Sequence, residues 1–325
     1  MSAANLTTFS APHFRKDVDD NIITTVDPSA FLAPRFREDI ERFCKILNAP
    51  FSASATEVVL KAYASAFNDS PVGWRVTSKD SILNYRIFQM RSIDTISIAI
   101  EAGLLQPSPM TDLVQAWTVA IKGSQQFCDF SASTGLAKTW LFLGHTRQMD
   151  DVLDLSFVPN SIRHHLPDFK KHGLDKVRTL AVDWHSGTVN IYWRAPGPVD
   201  KKQADRLLAM AGCEPIDEAE VKEIARCSSA KDGSFAFAVT LSLETGELGR
   251  TAFYAPKLPR KDLPVISDER VKAFLDHAPD YDWEEWITIA WGFGKGGKKY
   301  IKAERSYCGN LMDKVKEMMV TDPNI

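Results

Sequence analysis

Residues 188–194 read TVNIYWR and alternate bulky apolar side chains with polar or cationic ones. Successive side chains of a β-strand point to opposite faces, so Val189, Ile191 and Trp193 would share one face. The opposite face would carry Asn190, Tyr192 and Arg194. The segment therefore predicts a strand that packs its apolar face on another layer and directs polar, cationic side chains to the other side.

The same alternation recurs in two later segments. Arg250 and Tyr254 share the polar face of one segment, and Lys302 and Glu304 share a face of the other. A single cationic stripe would belong to the solvated surface. Several of them, on hairpins that alternate with amphipathic helices, predict a barrel whose outer wall packs on helices and whose interior holds an anion.

Composition narrows the functional classes. The chain has 325 residues, of which 44% are hydrophobic and 25% are charged, and its net charge is -3. This composition is typical of a globular protein, and the charge creates no field that would recruit nucleic acid or an anionic membrane. The five cysteines are scattered and have no metal-ligand spacing. We therefore expect a cytoplasmic monomer without disulfides or a zinc site.

Hairpins and helices alternate along the chain. Strands are predicted over residues 81–90, 137–143, 177–184, 188–194, 235–243, 247–254, 286–293 and 299–307. Helices are predicted over residues 34–47, 55–67, 94–105, 111–121, 162–172, 200–210, 268–278 and 310–319. Thr111 is the expected cap of the fourth helix. The hairpins imply antiparallel pairing, and closure into a ring would remove the exposed sheet edges.

The domain organisation follows from the same periodicity. Residues 1–30 have none and predict a loosely ordered arm. No Pro-rich or Gly/Ser-rich linker divides residues 31–325. We therefore predict a single closed α+β domain over residues 31–325.

Seven cations would face the interior of such a barrel. They are Arg75, Arg86, Lys138, Arg178, Arg194, Arg250 and Lys302. Burial of an unpaired charge costs several kcal/mol, so something anionic must lie among them. Glu304 is the clear acid on these faces, while Asp183 is expected on the face opposite Arg178. The cations therefore either bind an anionic ligand or form internal salt bridges with carboxylates.

Aromatic side chains accompany these cations. Tyr192, Tyr254, Trp140 and Phe142 stand on the same strand faces. Because aromatic rings attract cations, a pocket that is positive at one end and aromatic along its walls suits an anion that leaves from a carbocation. Each aromatic residue taken alone fits an ordinary core better than a binding role.

Asp150, Asp151 and Asp154 spell DDxxD. In isoprenoid-chain synthases this motif holds magnesium and diphosphate, because carboxylates one helical turn apart share a face. Here it occurs once and outside every predicted strand, and an exposed acidic first turn of a helix explains it as well. The glycines of residues 292–297 predict a hairpin turn, since no Walker lysine-serine pair follows them.

Four segments resemble a known family. They are residues 135–142 (GLAKTWLF), 182–194 (VDWHSGTVNIYWR), 244–254 (ETGELGRTAFY) and 300–310 (YIKAERSYCGN). The chain resembles the soluble ABBA-type, or PT-barrel, aromatic prenyltransferases, in the branch that acts on hydroxyphenylpyruvate or phenazine-type acceptors. The resemblance implies a ten-stranded antiparallel barrel of repeated ααββ units, inside a ring of helices and with the active site in the lumen. It also implies transfer of a dimethylallyl group from dimethylallyl diphosphate to an electron-rich aromatic ring.

The resemblance implies roles for individual residues. Diphosphate binding is implied for Arg75, Arg86, Lys138, Asn190, Arg250 and Lys302. Shielding of the prenyl cation is expected of Tyr192, Tyr254 and Trp140. Contacts with the aromatic acceptor are expected of Arg178, Arg194 and Glu304, and Glu304 is the expected catalytic residue, either as a base or as the acceptor of a phenol hydrogen bond.

One position departs from the magnesium-dependent members of this family. They bind the metal with an aspartate where this chain has Asn84, and Arg86 follows two residues later. An arginine can supply in place the charge that the ion would bring. We therefore expect catalysis without a metal or any other cofactor. The alternatives are a non-catalytic barrel carrier of a prenyl diphosphate or another amphiphilic anion, and a metal-dependent prenyl-chain synthase that uses the DDxxD motif.

Overall fold

The computed structural model describes residues 30–88, 93–228, 233–311 and 313. The arm predicted over residues 1–30 lies outside the described residues, apart from its last position. The helix predicted over residues 310–319 lies outside them for most of its length.

Within the described residues, ten strands form one closed barrel. The strands are β1 Val72–Thr77, β2 Asn84–Ile87, β3 Gln125–Ser131, β4 Gly135–Gln148, β5 Lys176–Asp183, β6 Thr188–Ala195, β7 Phe235–Ser242, β8 Leu248–Ala255, β9 Ile287–Gly294 and β10 Lys298–Cys308. Each strand is antiparallel to its neighbours, and β1 pairs with β10 to close the ring, with Arg75 opposite Glu304. The closed, ten-stranded antiparallel barrel is confirmed.

Two strands, β1 and β3, were not predicted from the sequence. Gly73 interrupts the apolar pattern of β1, and glycine weakens the interior of a strand. In β3 the large apolar residues Phe127 and Phe130 lie on opposite faces, which hides the alternation. Both strands contribute charged side chains to the interior, so their absence from the prediction affected the site as well.

Helices pack on the outer wall of the barrel. They are α1 Ala33–Ile46, α2 Ala53–Ala62, α3 Ala64–Asp69, α4 Thr95–Glu101, α5 Pro109–Ala120, α6 Met149–Leu153, α7 Asn160–Arg163, α8 Leu166–Lys171, α9 Lys201–Met210, α10 Glu218–Ser228 and α11 Glu269–His277. A short 3-10 helix covers Arg260–Asp262. Among the described residues, no helix is long and apolar enough to cross a membrane.

Several helix ends differ from the prediction. The helix predicted over 55–67 is two helices that meet at Tyr63, whose hydroxyl donates a hydrogen bond to the carbonyl of Thr95 at 2.9 Å. The cap of α5 is Ser108 and not Thr111. Thr111 is the third residue of the helix and completes a capping box, in which its hydroxyl accepts from the Ser108 backbone at 2.8 Å.

The hydrophobic core lies between the barrel and its helices. Val189, Ile191 and Trp193 of β6 point outward and are buried, and Trp193 packs on Phe169 of α8 with ring centroids 4.9 Å apart. Burying a large apolar side chain contributes about 1.5–3 kcal/mol. This outward packing directs the opposite face of each strand, with its polar and cationic residues, into the lumen.

Candidate active site

A network of buried ion pairs occupies the middle of the lumen. Asp129 of β3 is fully buried and accepts hydrogen bonds from Arg86 at 2.5 and 3.1 Å, and Nη1 of Arg75 lies 3.0 Å from Oδ2 of Asp129. Arg86 also donates to Glu304 at 2.8 and 3.3 Å. Burial would raise the pKa of Asp129, but Arg86 and Arg75 outweigh it and hold the pKa well below its ordinary value.

This network corrects the sequence-based view that Glu304 is the clear acid on the inner faces. Asp129 was missed because β3 was not recognised as a strand. Once β3 is placed between β2 and β4, Asp129 stands opposite Arg86 on one side and Lys138 on the other. Part of the interior charge is therefore paired within the protein, as the salt-bridge interpretation held.

A second group of cations overlaps with this network at Arg75 and outnumbers its own acids. They line a cleft at one end of the lumen, hereafter the cationic cleft. Its lining consists of Arg75, Thr77, Lys79, Asp80, Lys138, Asp183, Asn190, Ala238, Thr240, Arg250, Ala252, Tyr254, Tyr300 and Lys302. Five of these residues are cationic and two are acidic. The cleft thus has an excess of positive charge and suits an anionic ligand.

Two buried lysines of the cationic cleft have lowered pKa values. Burial lowers the pKa of Lys138 to about 8, although Asp183 acts against that shift from 3.7 Å. Burial and the nearby Arg75 lower the pKa of Lys302 well below its ordinary value. An anion in the cleft would raise the pKa of both lysines, because an opposite charge favours the protonated form.

Hydrogen bonds hold the polar groups of the cleft in place. Thr240 of β7 donates to the side-chain carbonyl of Asn190 at 2.6 Å and accepts from Nε of Arg250 at 3.2 Å. This chain crosses three neighbouring strands, β6, β7 and β8. Because Thr240 holds Nε of Arg250, the guanidinium group of Arg250 has a fixed position.

Aromatic rings line the lumen next to the cleft. Tyr192 lies between Trp140 and Tyr254, with ring centroids 4.9 and 5.4 Å away. Nζ of Lys302 donates to the Tyr254 hydroxyl at 2.5 Å and lies 4.6 Å from the centre of that ring. Arg86 stands 4.5 Å from the Trp140 ring. The residues predicted to shield the cation therefore form one continuous aromatic surface, which reaches the cationic cleft at Tyr254.

The other end of the lumen combines apolar rings with arginine. The guanidinium of Arg178 lies 4.8 Å from the Phe142 ring, and Phe142 stacks on Phe127 at 6.1 Å. Asp183 was expected on the face opposite Arg178, and this expectation is wrong. A bulge in β5 at residues 177–179 shifts the register, so Arg178 contacts a lumen ring while Asp183 lines the cleft.

The structure separates the predicted diphosphate ligands into two groups. Arg75, Lys138, Asn190, Arg250 and Lys302 line the cationic cleft. Arg86 does not, and its guanidinium contacts two carboxylates instead. Arg194 lies on the inner face of β6 opposite Ala236, two residues beyond Tyr192 and away from the cleft. Lys79 and Tyr300 were missed: Lys79 lies in the β1–β2 turn, and Tyr300 shares the face of Lys302.

A family model now connects this geometry to known proteins. The model for the aromatic prenyltransferase Orf2 family matches residues 31–319. The chain belongs to the aromatic prenyltransferase Orf2 family. The predicted family and enzyme class are thereby confirmed.

Individual relatives of this aromatic prenyltransferase agree with the family match. An aromatic prenyltransferase of Sclerotinia sclerotiorum is 41% identical over 297 residues, which cover 89% of this chain and 95% of the relative. The 4-hydroxyphenylpyruvate 3-dimethylallyltransferase of Streptomyces niveus is 36% identical over 282 residues and 86% of each chain. The 5-dimethylallyl tryptophan synthase of Streptomyces coelicolor, solved with DMASPP and Trp, shares the fold at 10% identity and a TM-score of 0.54, over 87% of this chain and 96% of that one.

The DDxxD motif lies apart from the lumen of the prenyltransferase barrel. Asp150 and Asp151 are in the outer helix α6, and Asp154 is its last, capping residue. Asp150 forms a half-exposed ion pair with Lys170 of α8 at 2.7 Å. The glycines of residues 292–297 form the end of β9 and the turn into β10, as predicted. Neither motif contributes a side chain to the cationic cleft.

Proposed function

We propose that this prenyltransferase moves a dimethylallyl group from dimethylallyl diphosphate to an electron-rich aromatic acceptor, without a metal. The observation that supports this proposal best is the cationic cleft itself, whose excess of positive charge adjoins a wall of aromatic rings. The name of the Streptomyces niveus relative, a dimethylallyltransferase of 4-hydroxyphenylpyruvate, supports the choice of donor and of a phenolic acceptor.

The donor's diphosphate fits the cationic cleft. When the bond between the allylic carbon and the diphosphate oxygen breaks, the leaving group takes the electron pair and gains negative charge. Arg250, Lys138 and Lys302 stand where this charge develops, and the amide of Asn190 adds an uncharged hydrogen-bond donor. Preorganised donors of this kind typically contribute about 3 kcal/mol each to stabilisation of the transition state.

The dimethylallyl cation would then lie against the aromatic wall. Tyr192, Tyr254 and Trp140 present ring faces that stabilise positive charge and exclude water, which would otherwise capture the cation. The bond from Lys302 to the Tyr254 hydroxyl ties this wall to the cleft. The carbon that becomes electron-deficient is thereby kept beside the leaving group until the acceptor attacks.

The acceptor would occupy the remaining lumen near Glu304, Arg178 and Arg194. Its ring attacks the allylic carbon, a carbon–carbon bond forms, and the resulting arenium ion loses a proton to restore aromaticity. Glu304 either takes this proton or accepts the hydrogen bond of a phenol that makes the ring electron-rich. Arg86 fixes Glu304 with two hydrogen bonds, so we assign it to positioning this carboxylate.

In this proposal, arginine and lysine side chains supply the positive charge that a metal ion supplies in the magnesium-dependent members of the family. Asn84 is buried on the inner face of β2, opposite Arg75, and its neutral amide adds no negative charge for a cation. Asp129, the nearest acid on β3, is already bound by two arginines. These contacts support a donor site that relies on arginine and lysine.

The proposal is tested by incubating the protein with dimethylallyl diphosphate and a panel of phenols, dihydroxynaphthalenes and phenazines, with products followed by mass spectrometry. We expect a product heavier than one acceptor by one dimethylallyl group, with release of diphosphate. Binding of the donor without any prenylated product would instead identify a carrier. Elongated prenyl diphosphates would identify a chain synthase.

A further inference from the structure

Tyr300 is a partly buried phenol in the cationic cleft that no role described above uses. It lies on the inner face of β10, two residues before Lys302, and lines the cleft beside Arg250 and Arg75. Burial raises the pKa of Tyr300, while Arg250 and Arg75 act against that shift. The hydroxyl is therefore protonated at neutral pH.

A phenol at this place can serve a bound anion. A hydroxyl that reaches a cationic cleft can donate a hydrogen bond to an anion held there, and hydrogen bonds to ionised groups are the stronger ones. Tyr192 and Tyr254 differ from Tyr300 because their rings contact each other, and the Tyr254 hydroxyl accepts from Lys302. Tyr300 therefore places a phenol donor in the cleft that Arg250 and Arg75 also line.

Gly292 of β9 makes the position of Tyr300 possible. The two residues are directly opposite in the β9–β10 ladder. A Cβ atom at residue 292 would lie 2.0 Å from Cζ of Tyr300 and within 2.5 Å of both Cε atoms. The outer end of the phenol ring thus lies flat over the glycine, and any side chain there would push the ring, and its hydroxyl, out of place.

We propose that Tyr300 donates a hydrogen bond from its phenol to the diphosphate of the donor, and that Gly292 is the positioning residue that admits its ring. The proposal rests on the proposed function, because it places the diphosphate in the cationic cleft. Tyr300 would supply an uncharged donor among cations whose mutual repulsion limits how many can be packed together. Hydrogen bonds to charged groups are the stronger ones, so this contact should contribute at least about tenfold in affinity.

The test is calorimetric titration with inorganic diphosphate in EDTA, at pH 7.5. Tyr300→Phe keeps the ring on Gly292 and removes only the hydroxyl, so we expect the Kd to rise about tenfold or more. Tyr85→Phe is the matched control, since Tyr85 is a tyrosine outside the cleft whose buried ring packs on Phe36 of α1. Its Kd should equal that of the unchanged protein.

Gly292→Ala tests the positioning role. Alone it should weaken diphosphate binding about as much as Tyr300→Phe, whereas adding it to Tyr300→Phe should change the Kd by less than about twofold. Losses that multiply in the double variant would overturn the role of Gly292. Equal Kd values for Tyr300→Phe and the unchanged protein would overturn the role of Tyr300 alone. If the unchanged protein fails to bind diphosphate, the donor site and this proposal both fall.

Discussion

Replacing Asp129 with asparagine should destabilise the protein and at the same time increase its response to diphosphate. Asp129 is fully buried and pairs with Arg86 and Arg75. Removing one partner of a buried ion pair typically costs about 3–5 kcal/mol, because the other partner is left charged and unpaired. At about 2–4 °C per kcal/mol for a large domain, the melting temperature should fall by roughly 6–20 °C.

The pH dependence of this loss has a defined sign. The folded-state pKa of Asp129 is held well below its ordinary value of 3.8, so the carboxylate stabilises the fold at pH values above 3.8. The stabilisation decreases as the pH falls toward the folded-state pKa. The difference in unfolding free energy between the unchanged protein and Asp129→Asn should therefore be constant near neutral pH and shrink below about pH 4.

Diphosphate should restore part of what Asp129→Asn loses. Arg75 borders both Asp129 and the cationic cleft, so a bound anion would neutralise it in the variant. Thermal melting at pH 7 with and without diphosphate measures both effects, and the gain in melting temperature should be larger for the variant. Asp150→Asn is the control, because the half-exposed pair of Asp150 with Lys170 should matter little. A variant as stable as the unchanged protein, or one with no greater gain from diphosphate, would refute this reasoning.

Three further predictions concern the reaction. Arg250→Ala should lower kcat/KM for the donor about 100-fold in steady-state kinetics, since Arg250 lines the cleft. The melting temperature should change little. Unchanged kinetics would exclude Arg250 from the anion site. Glu304→Gln should slow product formation more than tenfold while the Kd for diphosphate stays within about threefold, and a loss of diphosphate binding alone would show that the acceptor assignment is wrong. Because burial lowers the pKa of Lys138 to about 8, binding of the unreactive thiolodiphosphate analogue of the donor should weaken as pH rises through 8 and should take up protons there. Calorimetry in buffers of different ionisation enthalpy measures that uptake, and a Kd that is constant from pH 7 to pH 9 would count against it.

The alternation of side chains predicts the barrel because each strand packs one face on helices and turns the other to the lumen. Val189, Ile191 and Trp193 show this for β6, where every outward residue is buried. The prediction fails where a strand has large apolar residues on both faces. Phe127 points into the lumen and Phe130 points outward, so the sequence of β3 shows no clear alternation. Asp129 was therefore not predicted as a lumen residue.

Pairs that are distant in sequence account for most of what was missed in the site. Arg86 and Glu304 are 218 residues apart, and no local pattern states that they meet. A bulge in β5 likewise interrupts the alternation of side chains that would otherwise place Arg178 and Asp183 on opposite faces of the strand. Tyr300 was within reach, since it shares the alternation of Lys302. The alternation of side chains does not reveal that Gly292 lies opposite Tyr300 and leaves room for the tyrosine ring.

The central claim is that side chains of the cationic cleft, and not a metal ion, balance the charge of the leaving diphosphate. The most direct measurement is the rate of prenylation of one accepted aromatic substrate in excess EDTA and in millimolar magnesium. We predict rates that agree within about twofold, because Arg250, Lys138 and Lys302 already line the cleft. A rate that falls to background in EDTA and returns with magnesium would contradict the claim.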